Sequence, residues 1–142
     1  MSGYDLSRFS KVHQWDYPRA LAEIRQGEKK SHWMWYIFPQ LRGLGHSARA
    51  HIYGLADAQE AKAFVEDEYL GGHLREISQE LLKFDGDIKA LMGDVDAMKL
   101  RSCMTLFVQV APEEPVWQQV LDKFFDGKQD ELTLKMLAQE EQ

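Results

Sequence analysis

The chain has a single cysteine, Cys103, among 142 residues, so an internal disulfide is impossible and a reducing compartment suits it. No apolar run approaches the roughly 20 residues that cross a bilayer. The opening MSGYDLSRFSKVHQW lacks the basic segment and hydrophobic stretch of a secretion signal. A soluble, cytoplasmic protein with no membrane partner is expected. The five histidines form neither H-E-x-x-H nor an i, i+4 pair, and no Walker lysine follows the glycines. No metal site and no cofactor is therefore expected. Internal repeats, low-complexity tracts and domain-dividing linkers are also missing, leaving one domain over residues 1–142.

What is present is apolar enough to fold. The chain is 44% hydrophobic and 11% aromatic, which excludes disorder, and 28% charged, which is ordinary for a globular surface. A net charge of −6 argues against a general nucleic-acid binder, which needs surplus Lys and Arg. The charge is unevenly spread: residues 19–51 carry a net +4 and the remainder −10. A positive patch on an acidic body points to an anionic ligand or an acidic partner.

The periodicity predicts an all-α domain of seven or eight helices around an aromatic central helix. Asp5 caps a short helix reaching about Trp15. Asp16 and Pro18 open a second, with Tyr17, Ala20, Leu21 and Ile24 on one face and Gly27 as its stop. Asp57 and Glu60 mark another start, followed by helices over 72–84, 87–92, 96–111, 115–125 and 130–139. Residues 33–38 are apolar throughout. They read as a buried helix capped by Ser31, with a strand paired to 104–110 as the alternative.

Three segments carry candidate chemistry. Lys29 to Gln40 places two cations and His32 at the start of the aromatic helix, where free backbone N–H groups favour anions, with Trp33 and Trp35 available to stack on a ring. The plainer reading makes both tryptophans core. Leu41 to Arg49 holds Gly43, Gly45, Ser47 and Arg49 and reads either as a phosphate-cradling turn or as a plain inter-helix turn. Lys99, Arg101, Ser102 and Thr105 lie early in a helix, against its dipole, which calls for an anionic ligand or a carboxylate partner. Cys103 in that segment reads as a small core residue.

The strings SHWMW (31–35), FPQ (38–40), GLG (43–45) and KLRSCMTLF (99–107) resemble the bacterial family called domain of unknown function 1810. The likeness extends from Asp5 to Leu134. It implies a compact helical domain and brings no established activity. Relatives are sometimes labelled calpastatin, but that is a disordered repeat inhibitor, whereas this chain is a single apolar-cored domain. Two of the three candidate segments coincide with the family strings, which implies that they meet in space.

The leading expectation is a pocket for a small anionic, nucleotide-like ligand. Lys99, Arg101 and Arg49 would face the anion, Trp33 or Trp35 the ring, and Ser31, Gln40, Ser102 and Thr105 would orient it. His32 would be the acid or base if the pocket is catalytic. The alternative is a non-catalytic module whose basic patch docks an acidic protein. Single-stranded nucleic-acid binding is disfavoured by the acidic remainder.

Overall fold

The 3.6-residue spacing of apolar side chains becomes nine α-helices and no strand in a computed structural model that describes residues 4–140. They are α1 (Ser7–Gln26), α2 (Met34–Ile37), α3 (Ala48–Tyr53), α4 (Ala58–Glu66), α5 (Glu68–Leu81), α6 (Ile88–Met92), α7 (Asp94–Val110), α8 (Val116–Phe125) and α9 (Glu131–Glu140). The all-α class is as expected, with one or two more helices. A parallel bridge between Leu41 and Leu55 is the single extended pairing among these residues.

The long helix at the centre is α7, whose residues 102–107 are all buried and which packs on α2, α4, α6, α8 and α9. Around it α1 lies on α5, α5 on α4 and α8, and the apolar stripe of α8 faces α7. Residues 33–38 are buried apart from half-buried Trp35, yet they form one helical turn beside α7 and no strand with 104–110.

Two helix boundaries differ from the pattern for local reasons. α1 runs unbroken through Asp16 and Pro18, where two helices were expected. Pro18 is solvent-exposed, and its missing N–H leaves the carbonyl of exposed Gln14 to water. Phe9, His13, Tyr17, Ala20 and Ile24 meanwhile keep a continuous buried face. Proline costs roughly 3 kcal/mol inside a helix, and each large apolar side chain buried contributes about 1.5–3. α5 starts four residues early because the Asp67 carboxylate accepts from the Leu70 N–H at 2.9 Å. Gly71 makes that corner possible, since a Cβ there would sit 2.0 Å from the Val65 carbonyl oxygen.

The link from α1 to α2 is built on one buried carboxylate. Glu23 accepts from the backbone N–H groups of Lys30 (2.8 Å) and Ser31 (3.0 Å), the Ser31 hydroxyl (2.6 Å) and the Trp33 indole N–H (3.0 Å). Burial alone would raise its pKa. The Ser31, Lys30 and Trp33 hydrogen bonds overcome that and hold it at about 2. Ser31 therefore serves Glu23 and does not cap α2, whose cap position is Trp33. The Lys29 side chain is buried as well: its ammonium pairs with Asp96 of α7 at 2.9 Å and lies 4.8 Å from the Trp33 ring.

A histidine pair ties α1 to α5 and α2. His13 Nε2 lies 2.8 Å from the Tyr36 carbonyl, which can only accept, so that nitrogen carries the proton. His13 is thus neutral at Nδ1 and accepts there from His73 Nδ1–H at 2.9 Å. Burial lowers the pKa of both rings, that of His13 to about 4. Tyr17 stacks on His73 with centroids 3.6 Å apart and donates to Glu76 at 2.5 Å.

Replacing Glu23 by Leu strands four donors and should cost about 3 kcal/mol, read as a lower urea midpoint; an effect below about 1 kcal/mol contradicts the hub. Acid should unfold the protein in two overlapping windows. His13 binds its proton at about 4 in the fold and near 6.5 when unfolded, so the unfolded state takes up protons as pH drops below 6.5. Stability should fall by about 3 kcal/mol across that window and be flat above it. Glu23, at about 2 against an ordinary 4.5, extends the loss from pH 4.5 downward. Urea titrations of His13→Gln should show a flatter slope between pH 6.5 and 4 than the wild type. An unchanged slope would remove His13 as its source.

Candidate functional site

Two clefts hold most of the polar residues singled out by the sequence, and Trp35 touches a cation from each. The Arg49 guanidinium is 5.1 Å from the centroid of its ring and the Lys99 ammonium 5.2 Å. Arg49 lines the cleft between α1 and α3, and Lys99 lines the cleft between α7 and α9.

The α7–α9 cleft encloses about 420 Å³. One side is the 43–47 loop, contributing Leu44, Gly45, His46 and Ser47, with Gln40 and Ala50 beside it. The loop is held by its ends: Arg42 N–H donates to Leu55 O at 2.8 Å, and Leu55 N–H to Gln40 O at 2.9 Å. Gly54 lets these segments close, because a Cβ there would sit 2.6 Å from Arg42 Cα. Ser47 caps α3 through the Ala50 N–H at 3.1 Å. The facing wall is the first turns of α7, with Val95, Met98, Lys99 and Ser102, and the start of α9, with Asp130 and Leu132. Trp35, Gln40 and Lys99 also line a narrow adjoining recess.

Val95, Met98 and Leu132 are 66%, 70% and 54% exposed. They are half of the six exposed large apolar side chains among the described residues, and all three border this cleft. The cleft carries one charge of each sign, Lys99 and Asp130. Asp130 Oδ2 accepts from Thr133 N–H at 3.0 Å and Thr133 Oγ at 2.5 Å, with the Ser102 hydroxyl at 3.2 Å, so its charge is held at the start of α9. Besides the Trp35 ring, Lys99 has Asp96 at 4.0 Å.

Arg101 and Thr105 of the KLRSCMTLF string form a seam with the chain before α9. The Thr105 hydroxyl accepts from Asp130 N–H and donates to Arg101 O, both at 2.8 Å. Arg101 donates to the carbonyls of Lys128 (3.0 Å) and Gln129 (2.7 Å). Carbonyl acceptors, rather than a carboxylate, thus occupy this cation. Cys103 is fully enclosed, and burial pushes its thiol far up, which makes it inert.

The α1–α3 cleft, about 570 Å³, is lined by Asp16 and Arg19 of α1, Lys30, Ser31 and His32 of the connector, Tyr36 of α2, and Arg49 and Tyr53 of α3. The Tyr36 hydroxyl donates to Asp16 and its ring meets Tyr53 edge-on at 4.9 Å. Burial and that hydrogen bond both raise the pKa of Tyr36, keeping it a donor.

Of the sequence candidates, Gln40, Lys99 and Ser102 share the α7–α9 cleft, while Ser31, His32 and Arg49 share the other. Trp35 bridges them through its two cations. Trp33 and Thr105 are fully buried, and neither they nor Arg101 line either cleft. His32 and Arg101 therefore share neither cleft. Leu44, His46, Val95, Met98 and Leu132 were missed in one cleft, and Asp16, Arg19, Tyr36 and Tyr53 in the other. Val95 and Met98, apolar beside Lys99 on the solvent face of a helix, carried a readable signal. Asp16 carried a misleading one, since it read as a helix cap.

No curated protein matches the chain. It is similar to a solved structure, the crystal structure of the conserved hypothetical protein Rv1873 from Mycobacterium tuberculosis. The two share 37% identity and a TM-score of 0.93 over 95% of this chain and 97% of that one. That protein's name states no activity. A family described as proteins of unknown function, DUF1810, matches residues 3–137, and the chain belongs to it.

Proposed function

We propose that the protein binds a small anionic, nucleotide-like ligand in the α7–α9 cleft. The observation that carries this reading is the convergence of three exposed apolar side chains, Val95, Met98 and Leu132, on one cleft whose cation is the Lys99 ammonium, paired with Asp96 only at 4.0 Å. Its volume of about 420 Å³ suits a small molecule, and its mixture of apolar wall with few polar groups is that of ligand sites. A flat ring covers Met98 and Leu132, with the thioether adapting to its outline. Lys99 meets the phosphate or carboxylate as a point charge. The Gln40 side-chain amide, with no hydrogen bond to the described residues, reads the edge of the ring. His32 lies in the other cleft, so this reading is one of binding and assigns it no acid–base step.

A thermal-shift screen of nucleoside phosphates and sugar phosphates on the full chain checks this. A true ligand at a hundred times its Kd stabilises by about 2.7 kcal/mol, a rise of several degrees. Lys99→Ala and Met98→Glu change solvent-reachable side chains and should fold; both should abolish the shift. A shift that survives both substitutions, or no shift with any of these anions, refutes the site.

A further inference from the structure

The α1–α3 cleft takes no part in the reading above, and its charge is unbalanced. We propose that it is a separate site for a small anion carrying two or more phosphoryl groups. Three permanent cations line it, Arg19, Lys30 and Arg49, with the His32 imidazole as a further donor. Its one carboxylate, Asp16, already accepts from the Tyr36 hydroxyl and has Arg19 at 3.7 Å. Arg49 has no carboxylate partner among the described residues and rests its guanidinium on Trp35. Lys30 reaches only Glu28, at 3.9 Å, with both side chains about two-thirds exposed, a pairing worth little. The lining thus sums to a formal +2 with His32 neutral, on a chain whose net charge is −6.

The geometry selects the kind of anion. The cations come from three places around a recess of about 570 Å³: Arg19 from α1, Lys30 and His32 from the connector, Arg49 from α3. Donors spread over three segments favour two or three linked phosphoryl groups, which offer more oxygens and more charge than one phosphate. Arginine adds a fork that matches two phosphate oxygens. An extended acidic protein fits less well, because it would reach beyond the recess onto a chain whose net charge is −6. A small anion inside the recess lies within the roughly 8 Å screening length of the cleft cations. The site is also preorganised: Tyr36 is held at its hydroxyl by Asp16 and at its carbonyl by His13.

Isothermal titration of the full chain with tripolyphosphate, pyrophosphate and orthophosphate tests the proposal. Affinity should fall in that order, and tripolyphosphate binding should weaken about tenfold or more between about 50 and 300 mM salt. Lys30→Ala and Arg49→Ala, both at exposed positions, should each weaken it about tenfold, and the double substitution should remove it. Arg49→Lys should recover part of the loss, and Lys62→Ala, outside the cleft, should change nothing. Circular dichroism and Tm establish that each variant is folded. The proposal is overturned by absence of tripolyphosphate binding at millimolar concentration, or by binding that persists in the folded double variant. Tighter binding of polyglutamate than of tripolyphosphate would overturn it too, by assigning the face to an acidic protein.

Discussion

The buried carboxylate of Glu23 is the constraint on which the rest of this structure depends. A carboxylate removed from water must have its lone pairs satisfied, and four donors from Lys30, Ser31 and Trp33 do so. Those donors belong to the segment leaving α1, so satisfying Glu23 turns the chain back against its own helix. Trp33 is thereby driven into the core, and the Lys29 ammonium reaches Asp96 across on α7. With α2 anchored at that point, His32 is left facing solvent, Tyr36 meets His13, and Trp35 stands half-buried between two cations.

The placement of Trp35 organises the surface. Arg49 and Lys99, from helices distant in sequence, share one indole, a neutral partner that holds two like charges near each other without cancelling either. The two cations on Trp35 consequently belong to two recesses of different chemistry. One offers apolar side chains with one cation and one carboxylate, and the other several cations around tyrosine rings. These suit different ligands: the first gains from burying a ring, the second from neutralising charge.

Much of the fold was legible because it rests on local rules. Gly27 in the left-handed region at φ 80°, Asp57 accepting from Glu60 N–H, Asp87 before α6 and the stripe of α8 all followed from residue type and spacing. Pro18 misled because the cost of a proline is local, whereas the buried face that outweighs it depends on α5. Ser31 misled similarly: a serine before an apolar run caps a helix only if no stronger acceptor claims its hydroxyl. Arg101 and Thr105 look like ligand groups in sequence, yet their partners are the carbonyls and the N–H that precede α9, some 25 residues on.

By itself the sequence determined the all-α class, the positions of most helices, the burial of most of residues 33–38 and the family. Each follows from periodicity, capping chemistry or a continuous string of residues. Tertiary structure alone decided which polar residues meet. It separated His32 from Arg101, turned Glu23 and Lys29 inward, and gathered Val95, Met98 and Leu132 at the mouth of one cleft with Lys99 and Gln40. The reason is physical: a side chain's partner is fixed by how helices pack to bury their apolar faces, and that packing joins residues no local spacing relates.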